Sequence, residues 1–78
     1  MIGRLSGEKV VGVKQTAKAL KSNQGKVLYV AKDADKKLVE PIIELAKTKS
    51  LQVVYVETMK ELGNLCAIEV SAATALIL

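Results

Sequence analysis

The spacing of apolar positions changes four times along the chain, and each change predicts an element boundary. Val10-Val11 is a short apolar pair that reads as a brief strand, and Gly12 turns the chain into a helix running to about Lys21. On that helix Val13, Ala17 and Leu20 recur at i, i+4 and i+7 and form the expected buried stripe. Ser22-Asn23-Gln24-Gly25 is turn chemistry, after which residues 26–31 form a strand too apolar to be half exposed. Asp33-Ala34-Asp35 offers capping carboxylates, and Leu38-Val39, Ile42-Ile43 and Leu45-Ala46 then repeat at helical spacing. Pro41 removes a helical donor, so the pattern predicts irregular or 3₁₀ helix up to Glu40 and regular helix from Pro41 to Lys49.

Leu51 to Val56 is rich in β-branched residues and predicts the next strand. Thr58-Met59-Lys60-Glu61 reads as a capping box opening a short helix to about Leu65, with Ala67 to Ser71 a loop and Ala72 to Leu78 the last strand. Strands that alternate with helices and are apolar on both faces imply a sheet covered on both sides. The expected fold is an α/β/α three-layer sandwich around a small, mostly parallel or mixed four-stranded sheet.

Length changes this picture little: 78 residues make one domain, 1–78, with no room for a second. Charge changes it more. Residues 1–39 carry nine Lys/Arg against three Asp/Glu, a balance of +6, while residues 40–78 carry three Lys against five Glu, a balance of −2. An anionic partner is therefore expected to meet the N-terminal half. Cys66 is the single cysteine and histidine is absent, so a disulfide within the chain and an ordinary Cys/His zinc site are both excluded. A reducing cytoplasm suits such a chain. The apolar C-terminal run is far shorter than the roughly 20 residues that span a bilayer, so a soluble protein is expected.

Lys14, Gln15 and Lys18 fall away from the apolar stripe and share one exposed helix face. They sit in the first turns, where free amides and the positive dipole end favour a phosphate or an electronegative base edge, and Gly12 lets backbone approach closely. The plain alternative is a solvated amphipathic face. Asp33 and Asp35 read as a turn and a helix cap in preference to a metal pair. Cys66 lies in an apolar stretch and lacks a histidine base, which argues against a nucleophile. Gly7 to Lys14 imitates a phosphate-binding loop, but Val13 stands where the lysine must follow the second glycine.

Three blocks, Gly12-Val13-Lys14-Gln15-Thr16-Ala17-Lys18-Ala19-Leu20, Val30-Ala31-Lys32-Asp33-Ala34-Asp35 and Leu62-Gly63-Asn64-Leu65-Cys66-Ala67-Ile68-Glu69-Val70, occur in order and closely resemble the L-seven-Ae family of ribosomal and ribonucleoprotein RNA-binding proteins. The similarity is closest to the family's short bacterial branch. It implies recognition of kink-turns, sharply bent RNA motifs built on tandem sheared G·A pairs beside a short bulge. Carried over by position, it makes Lys14 and Gln15 the readers of base edges, with Gly12 and Val13 at the groove, and Lys18 a reader or phosphate clamp. Ile68, Glu69 and Val70 become the loop that covers flipped-out bases.

Lys32, with Lys36 and Lys37, would add long-range attraction. Longer family members commonly have Asn-Glu where this chain has Lys14-Gln15, which implies more salt-sensitive and less discriminating binding. Lys36 replaces the family's common proline after the second aspartate. The implied partner is structured RNA, ribosomal RNA or a riboswitch being candidates, bound by a monomer without cofactor or catalysis. The competing expectation is a small protein-interaction or nucleotide-binding module anchored on Ile68 and Val70.

Overall fold

Four strands hydrogen-bond in the order β1-β4-β2-β3, with β1 at Lys9–Val11, β2 at Val27–Ala31, β3 at Gln52–Val56 and β4 at Thr74–Ile77. The computed structural model describes residues 9–66 and 71–78. β1 and β2 both pair antiparallel with β4, and β2 pairs parallel with β3, so the sheet is mixed. The connections fit these strand directions. β2 and β3 are joined through a 13-residue helix long enough for a parallel crossover, whereas β4 returns between β1 and β2 in the opposite direction.

Three helices cover the sheet: α1 at Val13–Lys21, α2 at Lys36–Thr48 and α3 at Met59–Leu65. α1 and α2 pack on each other and on one face of the sheet, and α3 lies against β2, β3 and β4 on the opposite face. This is the expected three-layer arrangement. Leu20, Leu28, Leu62 and Leu76 are wholly buried and Val30 is nearly so. Each such side chain stabilises the fold by about 1.5–3 kcal/mol relative to remaining in water.

Two expectations change. α2 is one regular helix that runs through Pro41, starting five residues before it. The proline removes only the bond to the Lys37 carbonyl, and both residues are exposed, so water can take that acceptor. Asp35 caps α2 by accepting from the Lys37 amide at 2.9 Å, and burial of Val39, Ile42 and Ala46 on the other side holds the helix together. On α1 the fully buried side is Thr16, Ala19 and Leu20, with Val13 and Ala17 half-buried, so the stripe is rotated from the predicted one.

The last strand is also shorter than expected, Thr74–Ile77, and β3 begins at Gln52. Thr58 caps α3 by accepting from the Glu61 amide at 3.0 Å. Asp33 supplies the other half of the cap, accepting from the Met59 amide at 2.7 Å across 26 residues of sequence. Among the described residues, no helix is long and apolar enough to cross a membrane.

Candidate functional site

The first turn of α1 is built on Gly12. Its φ of 105° and ψ of 155° belong to a region that side chains close off, so glycine is required by the backbone itself. A Cβ placed there would meet nothing within 4 Å, which leaves open space above the helix start. The Gly12 amide donates to the Thr74 carbonyl at 2.9 Å, and its carbonyl accepts from the Thr16 amide at 2.9 Å. The helix start is therefore pinned to the beginning of β4.

No side chain caps α1 and no acidic residue stands in its first turn. Among the described residues, the remaining orphan amides and the positive dipole end therefore have no acidic or side-chain capping partner. Lys14, Gln15 and Lys18 are exposed on this helix, as the sequence predicts, while Val13 is half-buried beneath them. Neither lysine has an ion-pair partner among the described residues, where the single salt bridge joins Lys32 and Glu57. Gln15 and Lys18 also line a shallow depression of about 210 Å³ with Val10, Ala19, Ser22 and Gln24.

The pairing of strands decides what lies near this turn. β1 and β2 end, and β4 begins, at the same end of the sheet, where the Ala31 amide donates to the Ala73 carbonyl at 2.9 Å. Lys32 follows β2 at that end, but its Nζ donates to Glu57 Oε1 at 2.9 Å. With side chains 55% and 71% exposed, the pair is solvent-screened and worth little, yet it offsets the charge of Lys32 in a way the sequence did not reveal. Lys36 and Lys37 are exposed in the first turn of α2. Val30, Ala34, Val39, Ile43 and Tyr55 line a cleft of about 320 Å³ beside Lys32 and Lys36.

Ile68, Glu69 and Val70 lie outside the described residues. Their flanks are described and firmly held: Cys66 is buried as the C-cap of α3, and the Ala72 amide donates to the Met59 carbonyl at 3.0 Å. The flanks are therefore the end of α3 and Ala72, which stands two residues before Thr74, the anchor of Gly12. Burial pushes the Cys66 thiol up from its ordinary value, and Lys9 only partly opposes this, so the sulfur is held as a neutral thiol. Among the described residues no cluster of three His, Cys, Asp or Glu could hold a metal ion.

Sequence matching gives this geometry a family. Residues 4–78 match the model of the ribosomal protein L7Ae/L30e/S12e/Gadd45 family. The chain belongs to this family. Relatives of this L7Ae-family chain include an RNA-binding protein of Caldanaerobacter subterraneus subsp. tengcongensis, 47% identical over 68 residues, covering 87% of this chain and 83% of that one. The RNA-binding protein YbxF of Geobacillus stearothermophilus is 40% identical over 73 residues, covering 94% and 89%. The large ribosomal subunit protein eL8 of Halobacterium salinarum is 35% identical over 77 residues, which is 97% of this chain but 64% of the longer protein. Among solved structures, a 15.5 kD RNA-binding protein of Giardia lamblia superposes with a TM-score of 0.81 at 21% identity, covering 88% of this chain and 58% of that one. That likeness confirms the L7Ae-like fold.

Reading the sequence missed Thr16 and Thr74, the two buried polar side chains among the described residues, which hydrogen-bond each other at 3.1 Å behind the α1 turn. A threonine at i+3 from Val13 and i−4 from Leu20 was the available signal for Thr16. Nothing local marked Thr74, because its partner is 58 residues away.

Proposed function

We propose that this chain is an RNA-binding protein that recognises and stabilises kink-turn RNA. The observation that carries the reading is the uncapped α1 start, where Gly12 leaves open space and Lys14, Gln15 and Lys18 stand exposed, without acidic partners among the described residues. Phosphate oxygens suit the lysines and the free amides, whereas a base edge suits the amide of Gln15, which both donates and accepts. Family membership and relatives named as RNA-binding proteins support the same reading.

Binding acts by population shift. A kink-turn bends only in a fraction of free molecules, and a protein that contacts the bent form alone stabilises it by that differential affinity. Lys14 and Lys18 supply charge attraction, Gln15 reads guanine edges opened by sheared G·A pairs, and Ile68 and Val70 pack on an unstacked base, with Glu69 between them. Lys32, held by Glu57, contributes attraction at longer range. No step in this scheme makes or breaks a bond, so the protein acts as a binder and not as an enzyme. A monomer suffices, and ribosomal RNA or a riboswitch are candidate partners.

The test is titration against a kink-turn RNA and against the same RNA with its G·A pairs changed to Watson-Crick pairs, at two salt concentrations. Tight binding to the first alone is expected, weakened by Lys18→Ala with a log-log salt slope shallower by about one. Equal affinity for both RNAs, or none for either, overturns the kink-turn reading and leaves a small protein-interaction module.

A further inference from the structure

Thr16 and Thr74 are fully buried, and the Thr74 hydroxyl donates to Thr16 Oγ1 at 3.1 Å between α1 and β4. The same Thr74 accepts the Gly12 amide through its carbonyl, and Thr16 donates its amide to the Gly12 carbonyl, both at 2.9 Å. Gly12, Thr16 and Thr74 thus close a ring of three hydrogen bonds around the first turn of α1. Valine has the shape of threonine without its hydroxyl, and burying two hydroxyls that satisfy only each other gives little net stability over two valines. Stability alone therefore does not account for this pair.

Direction does. Around Thr16 the buried α1 side chains are Ala19 and Leu20, with Val13 and Ala17 half-buried, and such apolar contacts set the depth and coarse rotation of the helix but carry no preferred angle. A hydrogen bond with a preferred angle adds the missing constraint. With Leu20 keeping the helix seated, a rotation of only a fraction of the roughly 100° between successive residues already shifts where Lys14, Gln15 and Lys18 point. Thr74 also stands just after Ala72 and Ala73, whose backbone bonds to Met59 and Ala31 fix the strand-side flank of the 67–70 connection.

We propose that Thr74, acting through Thr16, is a positioning residue that sets the rotation of the α1 first turn and thereby the aim of Lys14 and Gln15 at a kinked RNA. This rests on the RNA reading above. The role is that of a rigid reference: the helix start and one flank of the apolar connection are indexed to the same strand end. Discrimination between kinked and regular RNA depends on this aim, whereas general attraction of lysines to phosphate does not.

The experiment uses the whole chain as wild type, Thr74→Val, Thr74→Ser and Thr16→Val. Amide hydrogen exchange without RNA comes first: in Thr74→Val the Gly12 and Thr16 amides exchange about tenfold faster relative to Leu28 and Val30, as expected for loss of one buried hydrogen bond, and Thr74→Ser restores them. Titration follows, with Thr74→Val about tenfold weaker for kink-turn RNA, unchanged for the Watson-Crick version and unchanged in salt slope. Thr16→Val gives the same pattern and serves if Thr74→Val fails to fold. Unchanged exchange at Gly12 and Thr16 overturns the positioning role whatever RNA does, as does equal weakening toward both RNAs. A wild type that binds both RNAs equally removes the RNA reading, while exchange still decides whether Thr74 orders the turn.

Discussion

Gly12 and Gly25 both take φ beyond +100°, yet for different reasons, and the difference is testable. A Cβ on Gly12 would meet open space, whereas one on Gly25 would lie 2.7–2.9 Å from the Leu76 side chain, itself wholly buried. Gly25→Ala combines backbone strain with overpacking and should destabilise by about 1–3 kcal/mol or more in urea titration, leaving RNA affinity per folded molecule unchanged. Gly12→Ala should cost about 1–3 kcal/mol through backbone strain and, in addition, weaken RNA binding where the extra methyl intrudes. Cys66 makes a separate prediction. Its thiol titrates higher in the folded chain than in the unfolded one, so above the ordinary value of 9.0 the unfolded state loses its proton first and stability falls as pH rises. Denaturation midpoints measured between pH 7 and 10 should show this alkaline loss, reduced in Cys66→Ala, and native Cys66 should resist thiol reagents that label it on unfolding.

At the scale of elements, α2 shows how tertiary packing overrides a local preference. Pro41 would interrupt the helix if propensity decided, since an interior proline costs about 3 kcal/mol relative to alanine. Burial of Val39, Ile42 and Ala46, aided by Ile43 and Leu45, and the Asp35 cap outweigh that cost. Pro41→Ala should therefore stabilise the protein by about 1–3 kcal/mol, measured as a higher urea midpoint at unchanged slope. Unaltered or lower stability would mean that the proline ring makes packing contacts which its exposed position does not suggest. α3 shows the complementary effect. The Thr58 half of its capping box was legible, but the carboxylate that accepts from its first amide is that of Asp33, just after β2, and not the Glu61 side chain that the sequence suggested. The sequence read Asp33 and Asp35 as a turn and a helix cap, and Asp35 does cap α2, while the fold sends Asp33 to the first amide of α3.

Across the whole molecule the charge asymmetry acquires a place. The N-terminal half holds the basic excess, and it contributes α1, the turn after β2 and the start of α2. A Lys14→Glu, Lys18→Glu double variant lowers the net charge by four and reverses the charge of the exposed α1 face. It should abolish measurable RNA binding at 150 mM salt while changing the urea midpoint little, since both side chains are exposed and lack ion-pair partners among the described residues. By itself the sequence determined the alternation of strands and helices, the apolar strands, the exposed lysine-glutamine face and the family, because these follow from periodicity, turn residues and local motifs. Only the tertiary structure decided that β4 returns antiparallel between β1 and β2, that Lys32 is held by Glu57, and that Thr74 backs the helix start. Each of those depends on residues 25 or more positions apart being brought together, and the free energy of such a meeting belongs to the packed sheet and not to either segment alone.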